Sequence, residues 1–450
     1  MFIGFDYGTA NCSVAMMENG TPRLLTLEGN SPFIPSTLCA PTREAVSEYL
    51  WRHFNIKPTD QVGEQLLRRA VSFNREEGID VEPGDLRFGR SALDTYLEDP
   101  EEVYYVKSPK SFLGATGLRD VQISFFEDLV CAMMANIKQQ AEAETQQDIL
   151  QTVIGRPVNF QGIGGDKANE QAESILTRAA KRAGFKDIIF QFEPVAAGLE
   201  YESTLEKDST VLVVDIGGGT TDCSLIEMGP SWRNQDDRRA SLLAHSGCRV
   251  GGNDLDIHLA FEQLMPMFGK DSTLQRGIAM PVTQFWNPIA INNVVAQSDF
   301  YASANRAVLE QLMRDASEPE KIARLLRVHR ETLGYQIVRC AEELKIRLSE
   351  HDSAHIDLPI VQEVLSANAT SQQLAEAIAN PVAKVSELVN DALAQSATKP
   401  DAIFMTGGSA RSPILRALLE STLPGVPIVA GDFFGSVSSG LARYAEKSFR

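Results

Sequence analysis

Two stretches of the chain share one pattern of hydrophobic and polar positions. "FIGFDYGTANCSVAMME", at residues 2–18, runs from an apolar segment through an aspartate and a glycine-containing turn into a second apolar segment. "VLVVDIGGGTTDCSLIEM", at residues 211–228, repeats this order with two more residues in the turn. Apolar runs on either side of a glycine turn are typical of β-hairpins. The repeat predicts two strand–turn–strand units, and therefore two related halves of the chain.

Three further stretches predict a strand or a turn that leads into a helix. In "FEPVAAGLEY", at residues 192–201, a strand ends and a helix begins at Glu193 and Pro194. "GGNDLD", at residues 251–256, opens a helix directly, and helix N-termini favour anions. "FMTGGSARSP", at residues 404–413, combines an apolar strand, a double glycine and a helix start. Its backbone and Arg411 suit a nucleotide, since arginine stacks on a base.

The stretch "ETLGYQIVRCAEELKIRLS", at residues 331–349, predicts one continuous helix. Glu342, Lys345 and Ser349 share one face of it, while the apolar side chains share another. For charges on a helix, an exposed face of ion pairs is the ordinary interpretation.

Small residues recur in "FEPVAAGLEY" and in "GSVSSGLA", at residues 435–442. Small side chains allow two helices to cross closely. The crossing would suit a hinge between two lobes or simple local packing, and the pattern favours neither.

Composition excludes several classes of protein. The net charge of −18 argues against nucleic acid as a partner, because phosphate binding needs a basic face. The six cysteines form no C-x-x-C pair, so a zinc site is not expected and a reducing compartment fits. We expect no signal peptide, and no apolar run reaches the ~20 residues that a membrane span needs. These features predict a cytoplasmic protein without a membrane partner. His351 and His355 precede and enter a strand, so they predict no metal site.

The two hairpin turns suggest phosphate chemistry. Glycine lets the main chain approach a ligand closely, and consecutive amides form a concave anion site. A carboxylate beside a phosphate needs a cation between them, and Mg²⁺ is held by few carboxylates together with phosphates and water. We therefore expect Asp6 and Asp215 to face one metal-bound polyphosphate from two sides. The alternative is a pair of glycine-rich turns with aspartates in them. The chain has neither a Walker loop nor a dinucleotide fingerprint.

Taken in order over nearly the whole chain, these motifs resemble the nucleotide-binding domain of the DnaK-type 70-kDa heat-shock chaperones, in the actin-like ATPase superfamily. They are most similar to its truncated bacterial members. The resemblance implies an α/β, two-lobed fold of duplicated ribonuclease-H-like domains with a central nucleotide cleft. The first lobe would span residues 1–208, with an extra stretch at about 43–86. The second would span residues 209–450, with the adenosine pocket and a helical insertion at about 268–330.

The resemblance also implies ligands and residue roles. ATP or ADP would bind with Mg²⁺, which Asp6 and Asp215 would hold through water. Lys110, Glu193 and Asp222 would be catalytic, with Lys107 as the runner-up to Lys110. The nucleotide would contact a larger set of small and polar residues: Gly8, Thr9, Asn11, Gly217, Gly218, Gly219, Thr220, Gly251, Gly252, Glu342, Lys345, Ser349, Gly407, Gly408, Ser409 and Arg411.

Three departures from the family pattern bear on function. Ala10 stands where the family has a second threonine that contacts phosphate, which predicts slow turnover. Asn159 stands where the family usually has an aromatic residue at the end of a strand. We expect no C-terminal peptide-binding domain, and therefore no coupling of ATP to a peptide groove within this chain.

We therefore expect a chaperone-family, stress-related ATPase that hydrolyses slowly and acts as a nucleotide-dependent switch for a protein partner. Three alternatives remain open: an ATP-binding regulatory protein that does not hydrolyse, a small-molecule kinase with an added pocket, and an actin-like filament.

Overall fold

The computed structural model describes residues 1–98, 102–160, 165–235, 237–275, 277–359, 365–430 and 435–450. They form two compact units. The first unit contains Met1–Val213, Ser224–His245 and the C-terminal helix. The second unit contains Val214–Cys223 and the chain from Ser246 to Ala430.

The chain up to residue 204 alternates strands and helices. Its elements are β1 (Phe2–Tyr7), β2 (Asn11–Glu18), β3 (Thr21–Leu24), β4 (Phe33–Pro35), β5 (Thr37–Ala40), α1 (Arg43–Arg52), α2 (Gln61–Glu76), β6 (Arg87–Phe88), α3 (Gly89–Glu98), β7 (Tyr104–Lys107), α4 (Asp120–Thr145), β8 (Gln151–Arg156), α5 (Asp166–Arg182), β9 (Asp187–Phe192) and α6 (Glu193–Thr204).

The remainder is richer in helix. Its elements are β10 (Ser209–Ile216), β11 (Thr221–Met228), β12 (Leu242–Cys248), α7 (Gly252–Leu259), α8 (Thr283–Trp286), α9 (Val294–Tyr301), α10 (Ser303–Asp315), α11 (Pro319–Glu331), α12 (Gly334–Leu348), β13 (Ser353–Leu358), β14 (Leu365–Thr370), α13 (Ser371–Ala377), α14 (Ala379–Ala394), β15 (Ala402–Thr406), α15 (Pro413–Thr422), β16 (Ile428–Ala430) and α16 (Ser436–Phe449).

Both predicted hairpins are present. In the six-stranded sheet, ordered β3-β2-β1-β8-β9 with β4 on β2, strands β1 and β2 pair antiparallel with Asp6 opposite Ser13. In the five-stranded sheet, ordered β12-β11-β10-β15-β16, strands β10 and β11 are neighbours. Strand β8 pairs parallel with both β1 and β9. Mixed sheets with helices between their strands confirm the predicted α/β class.

Helices α6 and α16 cross closely, as their small residues predicted. A Cβ atom on Gly440 of α16 would lie 1.9 Å from the carbonyl oxygen of Ala196 in α6. A Cβ atom on Gly4 of β1 would likewise lie 2.1 Å from the backbone nitrogen of Ala442. Glycine is needed at both positions because no side chain fits between these backbones. The crossing lies within the first unit.

The prediction of one helix over residues 331–349 is wrong at its start. Helix α11 ends at Glu331, Thr332 adopts a left-handed conformation with φ 51°, and α12 begins at Gly334. A Cβ atom on Gly334 would lie 1.8 Å from the carbonyl oxygen of Pro288, and the amide of Gly334 donates to the Tyr301 hydroxyl. These contacts come from residues about 30 to 45 positions earlier, so the local pattern could not reveal the break.

The two extra stretches are mostly helical. Residues 43–86 include α1 and α2, and residues 268–330 include helices α8 to α10 and most of α11. All six cysteines are free thiols, and Cys12, Cys39, Cys131 and Cys223 are buried. Among the described residues, no helix combines the length and the apolar character that crossing a membrane requires.

Candidate functional site

The first loop, residues 8–11, is held by hydrogen bonds from side-chain hydroxyls. Ser36 donates from its hydroxyl to the carbonyl oxygen of Gly8 at 2.7 Å and from its amide to that of Ala10 at 2.9 Å. Ser108 donates from its hydroxyl to the carbonyl oxygen of Thr9 at 2.5 Å. Three successive carbonyls of the loop are therefore held by two serines from elsewhere in the first unit.

The segment that carries Ser108 also carries the predicted lysine. Ser108 is left-handed, with φ 56°, and its amide donates to the carbonyl oxygen of Ser36 at 2.7 Å. Two residues later the buried ammonium of Lys110 lies 2.5 Å from Oε1 of Glu193. Side-chain exposure is 6% for Lys110 and 17% for Glu193, so the pair is largely shielded from water. Lys110, rather than Lys107, forms this pair.

The electrostatics keep Lys110 charged. Burial alone would lower its pKa, but the carboxylates of Glu193 and Asp6 outweigh burial, and the pKa is raised. Asp6 is the penultimate residue of β1, and Glu193 is the first residue of α6. The structure therefore brings three predicted residues of the first unit to one place.

The second loop, residues 217–220, is held by backbone rather than by side chains. The amide of Gly252 donates to the carbonyl oxygen of Gly217 at 2.9 Å, and the amide of Asn253 donates to that of Gly218 at 2.7 Å. A Cβ atom on Gly251 would lie 2.6–2.7 Å from backbone atoms of Gly217, Gly218 and Gly219. The double-glycine loop, Gly251 and Gly252, therefore packs directly on the second loop.

The GGS loop, residues 407–409, joins the same cluster in the second unit. Gly407 has φ 86°, and a Cβ atom on it would lie 2.4 Å from the carbonyl oxygen of Ile216 and 2.7 Å from Oδ1 of Asp215. A Cβ atom on Gly252 would lie 2.6 Å from the hydroxyl of Ser409. Three glycine-rich segments, far apart in sequence, thus meet around Asp215.

Helix α12 reaches this cluster through Lys345. Its ammonium lies 2.7 Å from Oδ1 of Asp256 and 3.5 Å from the carbonyl oxygen of Gly252. Burial raises the pKa of Asp256 to about 6, although Lys345 acts to lower it. Ser349 donates to the carbonyl oxygen of Lys345 at 3.0 Å, while Glu342 is exposed.

The remaining predicted residues are distributed over the two units. Asp6, Gly8, Thr9, Asn11, Lys110 and Glu193 lie in the first unit, and Asp215, Asp222 and the other nucleotide-binding residues lie in the second. Gly408 and Arg411 are exposed. Asn159 is also exposed, and its side chain accepts from Asn169.

Sequence reasoning missed three residues of these clusters. Ser36 and Ser108 brace the first loop, and Asp256 pairs with Lys345. The position of Asp256, four residues after Gly252 on the helix that the double glycine opens, was a usable signal. Nothing local distinguishes Ser36 from other serines.

The donor set suits a magnesium ion held indirectly. In the described ranges, no three His, Cys, Asp or Glu side chains lie together as a ligand group. Asp6 and Asp215 are each the penultimate residue of a strand that leads into a glycine-rich loop, where a carboxylate would meet a phosphate-bound cation. Few carboxylates, completed by phosphate and water, are the usual environment of Mg²⁺.

Comparison with known proteins gives one consistent answer. Residues 119–276 match the family model described as Hsp70 protein. The chaperone protein dnaK of Cyanophora paradoxa is 27% identical over 271 residues, which covers 57% of this chain and 36% of the relative. The dnaK of Emiliania huxleyi is 22% identical over 94% of this chain and 56% of the relative. The DnaK of Prochlorococcus marinus (strain MIT 9515) is 24% identical over 93% of this chain and 54% of the relative.

The chain spans about half the length, or less, of these curated relatives. The mixed α/β architecture agrees with the actin-like ATPase fold of this family. The family-model match and the dnaK relatives together support a DnaK/Hsp70-type family member.

Proposed function

We propose that this protein binds MgATP, hydrolyses it slowly, and acts as a nucleotide-dependent switch for a protein partner. The observation that carries the proposal is the meeting of three glycine-rich segments around Asp215 in the second unit. Close backbone approach without side chains is what a polyphosphate and a nucleoside need from a protein surface.

Each loop has its own part in nucleotide binding. Gly217, Gly218, Gly219 and Thr220 cradle the β and γ phosphates, while Gly8, Thr9 and Asn11 supply the first phosphate loop. The nucleoside lies against Gly251, Gly252 and the GGS loop, with Glu342, Lys345, Ser349 and Arg411 around it. Support for this arrangement comes from the Lys345 contacts with Asp256 and Gly252.

The hydrolytic step depends on positioning and charge. Lys110 keeps its proton and offers a fixed positive charge to the phosphate that is transferred. Glu193 holds Lys110 in place, and Glu193 or Asp222 orients the attacking water and accepts its proton. Asp6 and Asp215 would hold Mg²⁺, which would supply further charge neutralisation when bound.

Slow turnover follows from Ala10. The methyl group of alanine cannot donate a hydrogen bond, so the first loop has one phosphate donor fewer than its relatives would offer. Differences in affinity for a partner between the ATP and ADP states provide the switch, because a ligand shifts a conformational equilibrium only through differential binding.

The test is single-turnover hydrolysis of MgATP by the purified protein, beside Asp222→Asn. Hydrolysis that disappears in Asp222→Asn supports the proposal. Tight ATP binding without hydrolysis in either protein would leave a non-hydrolysing, ATP-binding regulatory protein. Absence of nucleotide binding would overturn the proposal as a whole.

A second candidate function, phosphorylation of a small molecule, has one observation in its favour. An open groove of about 670 Å³ adjoins Asn11 of the first loop. Arg87, Arg90, Asp94 and Glu98 line it, so a polar ligand is the class that it would accept. A small-molecule kinase requires such a site near its phosphate loops.

Two variants separate the functions. Arg87→Ala and Arg90→Ala line the groove but belong to no nucleotide loop, so basal ATP hydrolysis should remain unchanged in both. The kinase function predicts that a mixture of small polyols and amino alcohols accelerates ATP consumption by wild-type protein and not by these variants. Equal hydrolysis with and without the mixture would remove this candidate.

A further inference from the structure

A side chain of the insertion, residues 268–330, is hydrogen-bonded to helix α7, which begins at the double-glycine loop. Nδ2 of Asn292 donates to Oδ1 of Asp254 at 2.8 Å. The other oxygen of the same carboxylate, Oδ2, accepts from the amide of Gly251 at 2.9 Å. Asp254 therefore links the insertion to the first glycine of the double-glycine loop.

The link continues to the second loop. Immediately after Gly251, the amides of Gly252 and Asn253 donate to the carbonyls of Gly217 and Gly218. A shift of residues 251–253 therefore moves the second loop, because backbone hydrogen bonds join the two segments directly. All of these residues lie in the second unit.

Two aromatic contacts hold the insertion against the same helix. The ring of Trp286, at the end of α8, meets His258 of α7 edge-on at 5.1 Å and Phe261 edge-on at 5.2 Å. Trp286 therefore packs the insertion against α7 and the residues that follow it.

The insertion also sets the start of α12. Pro288 and Tyr301 meet Gly334, the first residue of that helix, through close backbone packing and a hydrogen bond of 3.1 Å. Helix α12 carries Lys345, which reaches Asp256 and Gly252. The insertion therefore contacts both α7 and α12, the two helices that Lys345 joins through Asp256 and Gly252.

We propose that the insertion sets the position of the double-glycine loop and thereby the affinity for nucleotide, with Asn292 as the positioning residue. This inference rests on the proposed function, because it names a regulator of the same site. Its consequence is that a molecule bound to the insertion would change nucleotide affinity without touching the nucleotide.

The first test is the affinity of the full chain for MgADP, measured by isothermal titration calorimetry. Asn292→Ala removes a hydrogen bond to a carboxylate at the protein surface, and we expect about fivefold weaker binding. Asn292→Asp places a second carboxylate beside Asp254, and we expect a larger loss, about tenfold or more.

The neighbouring asparagine provides a matched control. The side-chain oxygen of Asn293 accepts from the amide of Ala296 in α9 instead of facing α7. Asn293→Ala should therefore bind MgADP within twofold of wild type. Similar melting temperatures of both alanine variants without nucleotide would exclude a general loss of folding.

A second readout needs no nucleotide. Amide hydrogen exchange at Gly252 and Asn253, whose amides are bonded to the second loop, should accelerate in Asn292→Ala and not in Asn293→Ala. If wild-type protein binds no nucleotide, the proposed function fails, and the inference about affinity fails with it even where exchange changes. Where wild type binds, unchanged affinity in Asn292→Ala would overturn the inference, whatever the exchange rates.

Discussion

The two glycine-rich loops follow the same kind of strand but are held in different ways. Hydroxyl groups of Ser36 and Ser108 bond the carbonyls of the first loop. Backbone amides of Gly252 and Asn253 bond the carbonyls of the second loop, with glycines in direct contact. A loop held by hydroxyls loses one bond per substitution, whereas a Cβ atom on Gly251 would enter the direct backbone contact between the second loop and the double-glycine loop. The comparison predicts graded effects at the first loop and abrupt ones at the second.

The largest effect should come from the lysine beside the first loop. Lys110→Met removes a fixed positive charge and leaves Glu193 without its partner. We expect single-turnover ATP hydrolysis to fall about 10²- to 10³-fold, the usual cost of a charge-stabilising group. Rapid-quench measurement of phosphate release checks this.

Lys107→Met is the matched control, because Lys107 ends β7 and Lys110 forms the pair with Glu193. It should retain hydrolysis close to that of wild type. Equal losses in both variants would contradict the assignment of Lys110.

The next effect concerns the second loop. Gly251→Ala would place a Cβ atom 2.6–2.7 Å from three backbone positions of that loop, so the two loops must separate. We expect a loss of about 3 kcal/mol in the free energy of unfolding, the upper range for overpacking, together with loss of MgADP binding. Urea denaturation without nucleotide measures the first quantity.

Gly219→Ala sharpens this test. A Cβ atom on Gly219 meets nothing within 4 Å, so the stability without nucleotide should be close to that of wild type. Equal destabilisation by the two alanines would show that the close approach at Gly251 has no special cost.

A third effect depends on pH and involves the strand that leaves the second loop. His245 lies 3.0 Å from the hydroxyl of Ser224 in β11, and burial lowers the pKa of His245 to about 4, below the ordinary 6.5. The folded protein binds this proton less readily than the unfolded chain does, so stability is lost as the pH falls from about 6.5 towards 4. The loss is at most about 3 kcal/mol.

His245→Gln should reduce the difference in melting temperature between pH 7 and pH 4.5. His355→Gln is the control, since exposed His355 bonds Asn368 and Asp357, which raise its pKa instead. If the melting temperature falls equally between pH 7 and pH 4.5 in His245→Gln and in wild type, the prediction is wrong.

The smallest effect concerns one hydroxyl of the first loop. Ser36→Ala removes the hydrogen bond to the carbonyl of Gly8 but keeps the backbone bond to Ala10. We expect the affinity for MgATP to fall about fivefold, which corresponds to about 1 kcal/mol of binding free energy. Ser203→Ala, which removes an exposed hydroxyl bonded within α6, should have no such effect. If Ser36→Ala weakened nucleotide binding as much as Gly251→Ala does, the two loops would not differ in their response to substitution.

Much of the architecture follows from the sequence alone. The alternation of apolar strands with glycine turns predicts both hairpins, and the patterns at Glu193 and Gly252 predict the helix starts, because these features depend on neighbouring residues. The order of the motifs also predicts the family.

Other features were decided by the tertiary structure. The ion pair of Lys110 with Glu193 joins residues 83 positions apart. The serines that hold the first loop, the start of α12 at Gly334 and the contact of Asn292 with Asp254 likewise join residues distant in the chain. Local pattern determines which element a segment forms, whereas these contacts exist only after packing brings distant segments together.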